Sequence, residues 1–78
     1  MKNTVVIYSS PSCHYCRMAK NLAEQRGCEV EYKVFGKDFQ KEDMFENFPG
    51  ARTFPQIIFN GEKIGGYGAL VELLTDEV

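Results

Sequence analysis

Thr4-Val5-Val6-Ile7-Tyr8-Ser9-Ser10-Pro11-Ser12-Cys13-His14-Tyr15-Cys16 is the stretch on which the reading of this chain turns. Its first five residues are β-branched or aromatic and run into Ser9-Ser10-Pro11, so they read as a buried strand followed by a loop. From Cys13 to Arg26 the period changes. Tyr15, Met18, Ala19, Leu22 and Ala23 share one face of a helix, while Arg17, Lys20, Glu24 and Gln25 mostly take the other. Two cysteines three apart therefore stand where a strand hands over to the start of a helix. The first helical turn presents unpaired N–H groups and the positive end of the dipole. A sulfur at that edge is stabilised as thiolate, which lowers the Cys13 pKa below the ordinary thiol value. Cys16, one turn further in, is close enough to attack a mixed disulfide on Cys13. Thiolate attack followed by intramolecular resolution is a complete exchange cycle.

Outward from this junction, Gly27 stands where a helix stop is expected. Val30, Tyr32 and Val34 then alternate with Glu29, Glu31 and Lys33 at strand period. A polar segment around Gly36-Lys37-Asp38 leads to a short helix over about 40–47, with Met44, Phe45 and Phe48 available to a core and Pro49-Gly50 closing it. Gln56 to Phe59 reads as a strand, Asn60-Gly61 as a hairpin turn and Glu62 to Ile64 as the returning strand. Gly65-Gly66 breaks that strand, and Tyr67 to Leu74 carries a helical apolar face in Leu70, Val71 and Leu74. The order is β-α-β-α-β-β-α. A βαβ unit demands a right-handed parallel crossover and a two-residue hairpin an antiparallel pair, which together predict a mixed four-stranded sheet with helices on its faces.

Seventy-eight residues leave room for one hydrophobic core, so residues 1–78 read as a single domain. Hydrophobic and charged fractions of 44% and 26% are those of a globular chain rather than a disordered one. A net charge of -2 argues against nucleic-acid binding. No apolar run is long enough for a membrane span, and Lys2 is followed at once by a strand rather than by a signal peptide, so a cytoplasmic protein is expected. Three cysteines do not suit a secreted disulfide scaffold, and in a reducing compartment Cys-x-x-Cys means metal binding or redox catalysis. A structural zinc needs four ligands, and Cys28 and His14 are the other obvious candidates. Cys28 lies beyond the helix, about 20 Å from Cys13 at the helical rise. Redox catalysis without a resident metal is the stronger reading, and Cys28 is expected to be a small packed residue.

Four features in order resemble the glutaredoxins over nearly the whole chain: the strand into Pro11-Ser12-Cys13-His14-Tyr15-Cys16, then Arg52-Thr53-Phe54-Pro55-Gln56-Ile57, then Asn60-Gly61, then Ile64-Gly65-Gly66-Tyr67. The resemblance implies a thioredoxin-like α/β fold with strand order 2-1-3-4 and three helices. It also implies a cis Pro55 facing the cysteines and a Phe54 backbone that pairs with the backbone of a substrate cysteine. Tyr15, Thr53, Phe54, Pro55, Gly65 and Gly66 match substrate- or glutathione-binding positions of relatives, and a peptide carboxylate at the start of the last helix agrees with helix-end physics.

Three departures bear on the site. His14 stands where many relatives have proline, which frees an N–H near the sulfurs. Ser10 replaces a basic residue common three positions before the nucleophile, and Gly68 and Ala69 replace acidic residues that often follow the Gly-Gly pair. Arg52, Lys37, Gln40 and Lys41 are alternative partners for a glutathione carboxylate, with Arg52 and His14 as tuning residues. The implied activity is glutathione-linked reduction of protein disulfides and glutathione mixed disulfides by a monomer, with glutathione as co-substrate and no permanently bound cofactor. Ribonucleotide reductase is among the clients such proteins serve. The alternatives are a disulfide reductant served by thioredoxin reductase, a [2Fe–2S] cluster bridged between two chains through Cys13 and glutathione, and a non-catalytic interaction module.

Overall fold

A computed structural model describes residues 3–50 and 53–75. Seven elements follow the expected order: β1 (Thr4–Ser9), α1 (His14–Gln25), β2 (Glu29–Val34), α2 (Lys41–Asn47), β3 (Gln56–Phe59), β4 (Glu62–Gly65) and α3 (Tyr67–Thr75). The sheet runs β2-β1-β3-β4, which is the implied 2-1-3-4 order. β1 pairs in parallel with β2 from Thr4↔Glu29 to Ser9↔Val34, and antiparallel with β3 from Val5↔Phe59 to Tyr8↔Gln56. The β3–β4 hairpin is antiparallel, with a register shift between Ile57 and Ile58.

Side-chain alternation on β1 divides the interior into two clusters, one on each face of the sheet. On one face Val5, Ile7 and Ile57 pack with Ala19 and Ala23 of α1 and with Leu70 and Leu74 of α3. The alanines are small, so α1 lies close against the strands. On the other face Tyr8 packs with Phe39, Met44 and Phe48, and Val6, Phe54 and Ile58 rest against that group. Local chemistry sets the element ends. α1 stops at Gly27, whose φ of +78° suits a residue without Cβ. The N–H groups of Gly27 and Cys28 then donate to the carbonyls of Glu24 and Ala23 at 3.1 and 3.0 Å, which caps the last turn. The hairpin turns through Asn60 and Gly61 at φ +51° and +85°, both left-handed as a tight two-residue turn requires. Asn60 Oδ1 also accepts the Thr4 N–H at 2.9 Å and so ties the turn to the start of β1. On β2, Lys33 bonds Glu31 at 3.1 Å, and that bond holds its ammonium pKa above the ordinary lysine value. Both side chains are solvated, so the pair contributes little to stability.

Two expected core positions require correction. Tyr15 was assigned to the buried face of α1 but is 58% exposed, and the buried positions are Cys16, Ala19 and Ala23, spaced three and four apart. Met18 and Leu22 flank that stripe and are half-buried. Phe45 is also 58% exposed. A seven-residue helix offers the sheet one narrow face, which Met44 occupies with Phe48 just beyond the helix, and the residue after Met44 points about 100° away. Cys28 is half-buried against the first cluster, as a small packed residue would be.

Candidate active site

The end of the sheet at which β1 gives way to α1 gathers three chain segments. Ser9, the last residue of β1, is fully buried and donates its Oγ to the Lys33 carbonyl at 2.8 Å, which satisfies the hydroxyl and ties the strand end to β2. The chain then turns through Ser10 to Ser12, with the Cys13 N–H donating to the Ser10 carbonyl at 3.3 Å. Cys13 is the N-cap of α1, in extended backbone, and its Sγ accepts the Cys16 N–H at 3.1 Å. A sulfur thus takes the place that a serine or aspartate oxygen takes at other helix starts. No acidic side chain stands in the first turn of α1 to oppose the dipole.

Cys13 and Cys16 are joined in a disulfide with their Cα atoms 5.2 Å apart. Their exposures differ. Cys16 is completely buried, whereas Cys13 is partly open to solvent. An external sulfur can therefore approach Cys13 but not Cys16.

The second segment is the approach to β3. The Phe54–Pro55 peptide bond is cis. Because Tyr8↔Gln56 is the last pair of the β1–β3 ladder, Phe54 and Pro55 come at the sheet end from which β1 departs for Cys13. Pro55 is buried and Phe54 half-buried. Thr53 is exposed, and its carbonyl accepts Gln56 Nε2 at 2.9 Å. Arg52 lies outside the described residues.

The third segment joins β4 to α3. Gly65 has φ +110°, a conformation side chains rarely adopt, and Gly66 approaches the second segment closely enough that a Cβ on it would stand 3.6 Å from the Pro55 carbonyl oxygen. Tyr67 opens α3, and its ring lies 5.8 Å from that of Tyr15, which in turn is 5.9 Å from His14. Tyr67 thus stands beside an expected site residue, although pattern assigns an aromatic directly after Gly-Gly to the helix alone. The structure therefore connects Cys13 with Cys16, Pro55 with Gly66, and Tyr15 with Tyr67. His14 is exposed, as are Lys37, Gln40 and Lys41, and the Lys41 ammonium lies 5.6 Å over the Phe45 ring.

Known proteins resemble this chain in sequence and fold. The glutaredoxin family model matches residues 5–64. Mitochondrial glutaredoxin-2 of Bos taurus is 45% identical over 71 residues, an alignment covering 82% of this chain and 43% of the relative. The chain thus spans less than half the length of that relative. Glutaredoxin-1 of vaccinia virus (strain Copenhagen) is 35% identical over 77 residues, covering 91% of this chain and 71% of the viral one. Among solved structures, glutaredoxin 1 of Francisella tularensis, crystallised with cacodylate, superposes with a TM-score of 0.73 at 26% identity over 96% of this chain and 94% of its own.

Proposed function

The chain belongs to the glutaredoxin family, and we propose that it is a glutathione-linked dithiol–disulfide oxidoreductase acting on protein disulfides and on mixed disulfides with glutathione. The observation that carries this reading is the inequality of the two sulfurs: Cys13 is reachable and caps a helix, and Cys16 is buried one turn behind it. In the reduced protein the Cys16 N–H and the helix dipole favour the Cys13 thiolate, so its pKa falls below that of a free thiol.

That thiolate attacks one sulfur of a substrate disulfide. The substrate S–S bond breaks, a Cys13–substrate bond forms, and the departing thiolate takes up a proton. The Cys16 thiol loses its proton and attacks Cys13 Sγ, which releases the second substrate thiol and leaves the Cys13–Cys16 disulfide. Two electrons have passed to the substrate. Two glutathione molecules return them by the reverse sequence and leave as one glutathione disulfide. Only thiols exchange, so the cycle needs no resident cofactor.

The residues around the sulfurs suit a short extended substrate. The Phe54 backbone would pair with the backbone of the substrate cysteine, and the exposed Tyr15 ring would cover it. The N–H groups of Gly65 and Gly66, at the start of the nine-residue α3, would meet a carboxylate. Pro55 and Thr53 would complete that wall, with His14 and Arg52 as the proposed tuning residues. We place the activity in a monomer in a reducing compartment, the cytoplasm, with disulfide-forming clients such as ribonucleotide reductase.

A coupled assay distinguishes the electron source. With glutathione, glutathione reductase and a mixed-disulfide substrate, turnover should be sustained, and thioredoxin reductase should not replace the glutathione couple. Sustained turnover with thioredoxin reductase alone would instead assign the protein to the class of reductants served by that enzyme.

A further inference from the structure

β4 is the outermost strand of the sheet, paired with β3 on one side only. Among the described residues no hydrogen bond meets its other edge, so that row of N–H and C=O groups is open. α3 packs over the same strand, and a groove of about 410 Å³ lies between the two. Glu62, Lys63 and Ile64 line it from the strand, and Ala69, Glu72 and Leu73 from the helix. It takes no part in the exchange steps.

The groove has an apolar floor. Ile64 and Ala69 are half-buried, and Leu73 keeps 40% of its surface exposed one position before the buried Leu74. Its charge is unbalanced. Glu62 and Glu72 are both exposed, and among the described residues neither makes an ion pair. Phe59, opposite Glu62 in the hairpin, packs on the α1 and α3 side, which puts the Glu62 side chain on that face. Lys63 alternates to the other face, and its ammonium lies 5.6 Å from the centroid of the Phe48 ring in the second cluster. The basic residue of the lining thus turns its charge away from both carboxylates.

Position ties the groove to the sulfurs. β4 ends at Gly65, beside the Gly66 that approaches Pro55, and Glu62 is three residues back, about 10 Å along the strand. A protein client whose cysteine enters beside Pro55 can lay neighbouring sequence along β4. Glutathione, with one residue on either side of its cysteine, ends short of Glu62.

Resting on the function proposed above, we infer that the groove between β4 and α3 is a docking surface for protein clients. It accepts an extended segment with an apolar and a basic side chain two positions apart, the spacing that puts both on one face of a strand. The apolar side chain meets Ile64, Ala69 and Leu73, and the cation meets Glu62 and Glu72. The segment's backbone pairs with the open edge of β4.

Fluorescence anisotropy with the oxidised full chain and labelled, cysteine-free peptides tests docking apart from the redox chemistry. One peptide alternates leucine and lysine with threonine between them, and the other has glutamate in place of lysine. The lysine peptide should bind about tenfold more tightly, because the carboxylates that attract it repel the other. The difference should shrink at high salt. Glu62→Lys combined with Glu72→Lys should reverse the order of the peptides, and Leu73→Ala should weaken binding of the lysine peptide. Oxidation by glutathione disulfide should keep the wild-type rate in every variant. Wild-type protein that binds both peptides equally, or neither, would overturn the inference, as would an order unchanged in the double variant. A wild-type chain that sediments as a dimer and becomes monomeric in the double variant would assign the groove to a second copy instead. Failure of glutathione disulfide to oxidise the reduced wild-type chain would overturn the redox reading, whatever the peptides do.

Discussion

Cys13→Ser is expected to reduce disulfide turnover to the rate of glutathione alone, for every substrate. Cys13 is the one of the two bonded sulfurs that solvent reaches, and a hydroxyl in its place is neither ionised at neutral pH nor able to form a disulfide. Cys16→Ser should divide the chemistry. Attack by Cys13 is retained, but the mixed disulfide with a protein client has no internal nucleophile to release it. That adduct should accumulate and be visible by mass spectrometry, with dithiol reduction of protein disulfides lost. Mixed disulfides of glutathione should still turn over, because free glutathione can resolve the adduct on the accessible Cys13. Full activity in Cys13→Ser would favour a non-catalytic module. Unimpaired reduction of protein disulfides by Cys16→Ser would remove the resolving role.

The largest loss of stability is expected from Leu70→Ala. Leu70 is completely buried in the cluster that joins α3 to α1 and the sheet. Truncating such a leucine costs about 2–5 kcal/mol, through lost burial and the cavity left behind. For a domain of this size the total stability is of order 4–12 kcal/mol. The unfolding midpoint should therefore fall by roughly 10–30 °C. Leu73, on the same helix but 40% exposed, should tolerate alanine within about 0.5 kcal/mol. Thermal unfolding followed by circular dichroism compares the two. Equal shifts would contradict the packing described for α3, and with it the support for Gly66 and Tyr67 beside the sulfurs.

The parts of the fold legible from sequence were those with strong local chemistry. Gly27 marked the end of α1, Asn60-Gly61 the hairpin, and the change from strand to helix period placed Cys13 at a helix start. Alternation and hairpin geometry predict a mixed sheet, but its order came from the family resemblance, because pattern does not say on which side of β1 each neighbour lies. Burial was harder to read. Tyr15 lies one step along the helix from Cys16, and an apolar stripe read at helical period does not reveal that the core accepts the small sulfur and leaves the ring outside. Phe45 and Phe35 show the same problem. Two phenylalanines look equally suited to a core, but only the packed structure shows that Phe45 projects from α2 while Phe35, just after β2, leans on Phe39. The contact of Tyr67 with Tyr15 joins residues far apart in sequence, and no local signal carries it.

The account stands on a reactive thiolate at the head of α1. Its most direct test is the pH dependence of alkylation of the reduced protein, with the Cys16→Ser variant used to isolate Cys13. The rate should reach its plateau well below the pH at which an ordinary cysteine ionises. A Cys13 that titrates like a free thiol, or at still higher pH, would contradict it.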